Sequence, residues 1–225
     1  MEITRLTPET YPRWEHFRHF WDECACAVSL CDDVDVTGLC RACHDCGVSF
    51  YIAMLWCVSK VINAHAEFRM TTSETAEDPY PVPAVFDEIS PAHNVFHEDS
   101  ETYTTLFTKW SPDFAGFAEC CAADLARAKR MRVMSIPAPD NTFEASCVPW
   151  RHFTSVGVNC EAYPLTPTVA WGGFTERDGR TMMPLSIQIH HAAADGFHLA
   201  RFLNETEAET AYLAEELIKI KDKLI

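Results

Sequence analysis

One continuous stretch, residues 185–202, constrains the fold more than any other, because its periodicity changes from strand to helix. Apolar side chains alternate with polar ones in its first half, which predicts a strand with one buried face. Its second half has apolar residues at helical spacing, after a turn of small residues closed by Asp-Gly. If the strand continues to its end, His191 points in the same direction as Ile187 and Ile189. A histidine that points inward before a turn and an acid can act as an oriented general base.

Simpler interpretations of the same residues remain open. A His-His pair at the end of a strand is often polar surface, and Asp195 can serve as the N-cap of the helix that follows. The spacing alone favours these interpretations. Against them stands the whole pattern His-His-x-x-x-Asp-Gly, set between a strand and a helix, which resembles the signature of the chloramphenicol acetyltransferase family and its wider acyltransferase relatives.

The bulk composition limits the partners of the chain. Its 225 residues, 48% hydrophobic and 23% charged, are enough for a single well-buried domain over residues 1–225. The formal charge of −15 argues against nucleic acid or an anionic membrane as a partner. The first ten residues are polar and no apolar run reaches membrane-spanning length, so we expect neither an export signal nor a membrane span. A soluble, cytoplasmic protein is the expectation.

Eleven cysteines require an explanation. Because the count is odd and no export signal is expected, a reduced set is favoured over a disulfide framework. Cys40, Cys43 and Cys46, with His44 between them, have ligand types that can hold zinc. They fall in a predicted helix, however, where the three thiols would line one face as small apolar residues. We favour packing and expect no metal.

The rest of the chain predicts an α/β fold (an α+β two-layer sandwich), with one mixed β-sheet flanked by helices. One long helix is expected over residues 36–64, capped by Thr37, and further helices at residues 113–132 and 204–225. Strands are expected at residues 26–35, 67–70, 85–89, 94–107, 143–148, 155–160 and 167–174. The pair Asp178-Gly179 predicts a hairpin turn that leads into the strand of residue 185.

Several segments, in order along nearly the whole chain, resemble the type-A chloramphenicol acetyltransferases. They are Arg13-x-Glu15-His16-Phe17, Asn63-Ala64-His65-x-Glu67-Phe68-Arg69-Met70, Val95-Phe96-His97-x-x-Ser100-Glu101-Thr102, Ser146-x-x-Pro149-Trp150, Phe153-Thr154-Ser155, and Pro184-Leu185 through His190-His191-x-x-x-Asp195-Gly196-Phe197-His198. So many segments in one order are more specific than any single motif. The resemblance implies the fold of that family, a homotrimer with active sites at subunit interfaces, and acetyl-CoA as the acetyl donor.

The resemblance also implies roles for four residues. His191 is the general base, which takes a proton from an acceptor hydroxyl as that oxygen attacks the acetyl thioester. Asp195 pairs with Arg13 and orders the turn that carries His191. Ser146 donates a hydrogen bond to the tetrahedral oxyanion, although its own position also fits a strand serine bonded to backbone.

Binding residues follow from the same resemblance. Those of the acceptor pocket are Phe20, Cys24, Tyr103, Val156, Val158, Cys160 and Ala170. Phe20 stands where the family often has a tyrosine and Ala170 replaces a threonine, so we expect a wider and less polar pocket. Phe174 matches an aromatic residue that stacks on the adenine of the coenzyme. Gly173 stands where a lysine is common, which makes Arg177 and Arg180 candidates for contacting the coenzyme phosphates.

Three functions are therefore compared. The first is an acetyl-CoA-dependent O-acetyltransferase that inactivates chloramphenicol, and the second keeps the donor and mechanism with another hydroxyl-bearing acceptor. The third is a non-catalytic binding protein on the same fold. Binding alone requires none of the four residues His191, Asp195, Arg13 and Ser146, so their joint presence favours an enzyme.

Overall fold

The computed structural model describes residues 2–74, 80–158 and 164–222. Its α-helices are α1 (Trp14–Arg18), α2 (Thr37–Cys46), α3 (Phe50–Ala64), α4 (Phe114–Ala128) and α5 (Gly196–Asp222). Its strands are β1 (Ile3–Arg5), β2 (Ala27–Asp35), β3 (Met70–Ser73), β4 (Val82–Phe86), β5 (Ser90–His97), β6 (Thr102–Phe107), β7 (Thr142–Val148), β8 (Thr168–Gly172), β9 (Thr175–Arg177) and β10 (Arg180–His190). A π-helical turn, His19–Glu23, follows α1, and a 3-10 turn, Ala66–Arg69, precedes β3. None of the helices within these ranges is long and apolar enough to cross a membrane.

The main sheet is mixed, as predicted. Its strands run in the order β2-β10-β8-β7-β5-β6, and β9 pairs with the start of β10. The pairs β5–β7 and β7–β8 are parallel and the others are antiparallel. A smaller antiparallel sheet has the order β1-β4-β3. The expected hairpin between β9 and β10 is confirmed, because Asp178 and Gly179 both have the positive φ angles that a tight two-residue hairpin needs.

The core lies between the main sheet and the helices. Leu185, Ile187 and Ile189 of β10 are buried on the face that the helices cover, together with Leu199 and Phe202 of α5. This confirms the alternation followed by helical spacing that the sequence predicts. An inward-pointing His191 required the strand to continue through that residue, but the strand ends one residue earlier. His190 is its last residue, and His191 lies half-buried in the turn.

The long helix predicted over residues 36–64 is wrong, because the chain forms two helices there. Gly47 ends α2 in the left-handed region at φ 68°, which a residue without a Cβ adopts at little cost. The N–H of Val48 then donates to the carbonyl of Cys43 at 2.9 Å. Thr37 is the first residue of α2 and not its cap, and the N–H at this end of the helix is bound by Asp35, one residue before the N-cap position. Its Oδ1 accepts from the backbone N–H of Thr37 at 2.9 Å and from the hydroxyl of the same residue at 2.6 Å.

The cysteines of α2 pack against α5. Cys43 is buried, and the Sγ of Cys46 donates to the carbonyl of Leu217 at 3.5 Å. Burial raises the pKa of Cys40 to about 11 and that of Cys43 to about 12, so both thiols stay protonated near neutral pH. These observations support packing. In the described part of the chain, no group of three or more His, Cys, Asp or Glu side chains is arranged to hold a metal ion.

Candidate active site

His191 is held at three points in the turn after β10, one through its backbone and two through its imidazole. The backbone N–H donates to the carbonyl of Cys26 at 2.8 Å, and the ring stacks on Phe20 with centroids 3.8 Å apart. Nδ1 lies 3.0 Å from the carbonyl oxygen of Ala194. Because a carbonyl oxygen only accepts, Nδ1 carries the proton in this hydrogen bond. In the neutral ring, Nε2 therefore keeps a lone pair that can accept a proton.

The turn itself is built from small buried residues. Ala192, Ala193 and Ala194 are all fully buried. The N–H groups of Ala193 and Ala194 donate to the carbonyl of His190 at 2.9 and 3.4 Å, which folds the chain back tightly. A larger side chain at any of the three alanines would have to displace core atoms. The small residues thus bring the imidazole to the sheet end in a fixed orientation.

His190, the first histidine of the pair, supports the turn from inside. It is buried, its ring lies 5.5 Å from that of Trp21, and its Nδ1 accepts from the N–H of Ala192 at 3.1 Å. Burial and the neighbouring His191 lower the pKa of His190, which keeps its ring neutral near pH 7. The two histidines therefore occupy different surroundings.

Asp195 makes both contacts that the sequence left open. Its Oδ2 accepts from Nη1 of Arg13 at 2.5 Å, while its Oδ1 accepts from the N–H of Phe197 at 3.1 Å and so caps α5. His198 Nδ1 lies 2.8 Å from the same Oδ1. Partial burial raises the pKa of Asp195, but the Arg13 hydrogen bond and the nearby His198 lower it more, so the net pKa is below its usual value. The carboxylate ties the N-terminal segment to the turn that holds His191.

Ser146 lies on a different part of the same sheet. It is on β7 beside Ala170 of β8, which in turn pairs with Ser186 of β10. His191 follows Ser186 by five residues along the chain. The path between Ser146 and His191 crosses two strand spacings of about 4.8 Å and runs along five residues of about 3.3 Å each. Their Cα atoms are therefore about 19 Å apart. A single copy of the chain does not bring Ser146 and His191 together.

The predicted acceptor residues divide between these two positions. Phe20 lies on the π-helical turn and contacts His191, and Cys24 directly follows that turn. Four others lie around Ser146: Tyr103 and Val158 line a cavity of about 500 Å³, and Val156 and Ala170 line an adjoining one. Cys160 lies outside the described residues. The predicted acceptor residues that the structure describes thus form two separate groups on one chain.

The segment that carries Val156 and Val158 was expected to be a strand, and in its described part it is not. It crosses the outer face of the sheet over β10, whose two edges are already paired with β2 and β8. The side-chain amide of Gln188 makes the backbone hydrogen bonds to this segment that a neighbouring strand would otherwise make. It accepts from the N–H of Val158 at 2.9 Å and donates to the carbonyl of Val158 at 3.0 Å. The segment forms a wall of the cavities because of this contact.

Phe174 has an exposed ring, as stacking on a planar ligand requires. It is 50% exposed and meets Phe50 edge-to-face, with centroids 5.0 Å apart. The preceding Gly173 lies against the chain, and a Cβ there would stand 2.8 Å from the carbonyl oxygen of Pro149. A lysine at position 173 is thus incompatible with this backbone arrangement.

The two candidate arginines for the coenzyme phosphates are both beside carboxylates. Arg177 is in contact with Asp33, which also accepts from Nε2 of His152 at 2.8 Å. Arg180 lies 3.7 Å from Asp35. Their charges are therefore already partly compensated within the chain.

The cavities hold a carboxylate that the sequence analysis missed. Glu144 shares the outer face of β7 with Ser146 and lines the cavity of Tyr103. The expectation of a less polar pocket rested on Phe20 and Ala170 and took no account of this residue. The strand alternation was the available signal, because residues two apart on a strand share a face.

Known proteins resemble the chain along most of its length. A family model described as chloramphenicol acetyltransferase matches residues 1–207. A chloramphenicol acetyltransferase of Streptomyces acrimycini is 37% identical over 213 residues, which cover 91% of this chain and 94% of that protein. One from Clostridium perfringens is 32% identical over 211 residues, covering 92% and 98%.

Solved structures show the same fold. A chloramphenicol acetyltransferase superposes with a TM-score of 0.82 at 22% identity, covering 93% of this chain and 100% of that one. A probable dihydrolipoamide acetyltransferase from Listeria monocytogenes superposes with a TM-score of 0.62 at 15% identity, covering 91% and 92%. The family model spans most of the chain and the curated relatives match it along nearly their whole length, so the chain belongs to the chloramphenicol acetyltransferase family.

Proposed function

We propose that the chain is an acetyl-CoA-dependent O-acetyltransferase that acetylates chloramphenicol, as a single domain over residues 1–225. The observation that carries the proposal is the state of His191. Its Nδ1 is engaged by the carbonyl of Ala194 and its ring is stacked on Phe20, which leaves Nε2 as the basic atom. The relatives named chloramphenicol acetyltransferase support the choice of acceptor.

His191 would act as a general base and then as a general acid. Its Nε2 accepts the proton of the acceptor hydroxyl while that oxygen forms a bond to the thioester carbonyl carbon. The hydroxyl of Ser146 donates to the oxyanion that develops, and the C–S bond then breaks as the carbonyl re-forms. The leaving thiolate takes the proton back from His191, which returns to the neutral state. Base catalysis of this kind contributes about 10²–10⁴ in rate, and loss of an oxyanion donor costs roughly 3–4 kcal/mol.

The separation of the two groups points to an assembly. Since Ser146 and His191 stand about 19 Å apart in one copy, a shared reaction centre requires Ser146 from a second copy. We propose a homotrimer, in which each site lies between neighbours. The exposed side chains beside Ser146 support an interface on this face: Phe96, Tyr103, Trp150 and Val158.

Acetyl-CoA is proposed as co-substrate, with the exposed ring of Phe174 stacking on its adenine. We place the reaction in the cytoplasm, because acetyl-CoA is an intracellular donor. No metal takes part in the proposed mechanism. A different hydroxyl-bearing acceptor remains the second candidate, and the carboxylate of Glu144 in the cavity is the observation that favours it.

A thiol-release assay with acetyl-CoA and chloramphenicol tests the proposal. We expect His191→Ala to lower turnover by about 10²-fold or more. His44→Ala is the matched control, since His44 is exposed on α2, and it should leave turnover unchanged. Release with other alcohols but not with chloramphenicol would favour the second acceptor. Silence with every alcohol, together with tight binding of chloramphenicol, would favour a binding protein.

A further inference from the structure

Glu144 occupies the centre of the outer sheet face, next to the proposed oxyanion donor. It lies two residues before Ser146 on β7, so the two Cα atoms are about 6.6 Å apart and their side chains share a face. On the neighbouring strands it pairs with Ala92 and Thr168. Its side chain lines the cavity of Tyr103, and also a second cavity that reaches Gln188 and His190. A ligand that contacts Ser146 within the cavity of Tyr103 therefore lies beside the carboxylate.

The carboxylate has no counter-charge in the described chain. No salt bridge or side-chain hydrogen bond to Glu144 is present there, and neither cavity is lined by a described lysine or arginine. The histidine in the second cavity, His190, is kept neutral by burial. Although Glu144 is open to the cavity, the surrounding protein removes part of its hydration and raises its pKa.

A neutral ligand in the cavity further raises the free-energy cost of keeping the Glu144 carboxylate ionised. It displaces water from the carboxylate and returns no charge, so the ion loses solvation without compensation. A ligand with a positive charge in the same place replaces the lost water with an ion pair in a partly desolvated cavity. The carboxylate therefore discriminates between acceptors by charge.

We propose that Glu144 is a specificity-determining residue, which favours hydroxyl acceptors that carry a cationic ammonium group over neutral acceptors such as chloramphenicol. The ammonium group would lie near the Glu144 carboxylate while the hydroxyl reacts beside Ser146. The inference rests on the proposed function, because it assigns a substrate class to the same reaction centre.

Two probes that differ in charge test the inference. One is chloramphenicol, and the other is its analogue in which a trimethylammonium group replaces the dichloroacetamide and cannot be N-acetylated. We expect Glu144→Gln to lower kcat/KM for the cationic probe at least about ten-fold and to raise or preserve kcat/KM for chloramphenicol. Glu119→Gln, at an exposed position on α4, is the matched control and should change neither value.

Binding measured by calorimetry without acetyl-CoA separates this inference from the proposed function. We expect the cationic probe to bind wild type at least about ten-fold more tightly than Glu144→Gln, whether or not turnover occurs. Loss of thiol release with both probes, with this difference in affinity retained, would overturn only the proposed function. If Glu144→Gln changed kcat/KM and affinity equally for the two probes, or changed neither quantity for either probe, the role of Glu144 would be overturned. Unchanged circular dichroism and particle size establish that the variant is folded.

Discussion

The ring of Phe20 lies flat against the imidazole of His191, with centroids 3.8 Å apart and planes within 14°. The stack fixes the plane of the imidazole, and the hydrogen bond from Nδ1 to Ala194 fixes its tautomer. The family resemblance places Phe20 in the acceptor pocket. Its contact in the structure is with the proposed base, so it acts first on the orientation of Nε2.

Removing this stack should weaken catalysis without unfolding the chain. We expect Phe20→Ala to lower kcat about ten-fold or more, because a base displaced by a fraction of an ångström transfers protons poorly. Phe20→Tyr keeps the ring and should retain most of the activity. Steady-state kinetics with circular dichroism as a folding check measures both. Full activity of Phe20→Ala would show that the stack does not orient the base.

The distance between Ser146 and His191 leads to a complementation experiment. In a cyclic trimer with shared sites, a subunit without His191 and one without Ser146 can still form a complete site between them. Random mixing makes about three quarters of the trimers mixed, each with one complete site out of three, so about one quarter of wild-type activity should return.

The experiment co-refolds His191→Ala and Ser146→Ala in equal amounts and measures thiol release. Each variant refolded alone is the control and should remain nearly inactive. Activity of the mixture no greater than the mean of the two controls would place both residues in one subunit and contradict the shared site. Sedimentation of the same samples determines whether three copies assemble.

Much of this fold is predictable because its periodicity is local. The alternation in β10 and the helical spacing in α5 both follow from side-chain burial a few residues apart. The break at Gly47 escapes the same reasoning, because apolar spacing continues in the helices on both sides of it. The path of residues 155–158 depends on Gln188, which is thirty residues away in sequence.

The candidate site was predictable in its residues but not in its arrangement. The motif around His191 is a sequence pattern, and the pairing of Arg13 with Asp195 is implied by the resemblance to the family. The register that separates Ser146 from His191 depends on which strands pair, and strand order is not local information. Glu144 and the stack of Phe20 are likewise consequences of that register and of the π-helical turn.

We expect Asp195 to stabilise the fold in two ways, through its charge beside Arg13 and through its cap of α5. Asp195→Asn keeps an oxygen for the N–H of Phe197 but leaves Arg13, whose Nε and Nη2 already lack partners among the described residues, without its anion. We expect a loss of about 1–3 kcal/mol in the free energy of unfolding. Asp195→Ala also removes the cap and should cost about 1 kcal/mol more. Denaturant titration at fixed protein concentration measures both.

The ion pair between Arg13 and Asp195 also predicts how the free energy of unfolding depends on pH. Because the folded pKa of Asp195 is lowered, its contribution is complete above the unfolded value of about 3.9 and is lost as the pH falls through the folded pKa. The difference between wild type and Asp195→Asn should thus be constant from pH 7 to pH 5 and shrink below about pH 4. A difference that already shrinks between pH 7 and pH 5 would contradict the pairing with Arg13.

His93 lies in a buried network that should make the protein sensitive to mild acid. Its Nδ1 is 3.0 Å from the hydroxyl of Tyr51, and its Nε2 is 3.0 Å from that of Thr108. Burial lowers the pKa of His93 to about 4. Between that value and the unfolded pKa of about 6.5, the unfolded chain binds a proton that the folded chain does not, so stability falls as the pH is lowered.

We expect the free energy of unfolding to decrease by up to about 3 kcal/mol between pH 6.5 and pH 4 because of His93. His93→Gln should be less stable at pH 7, since it loses part of the network, but its stability should depend less on pH in this interval. His97→Gln is the matched control, because it changes another buried histidine of β5 and keeps His93. Denaturant titrations of the three proteins at several pH values measure the slopes. Equal slopes for wild type and His93→Gln would show that His93 is protonated in the folded protein or that it does not titrate differently on unfolding.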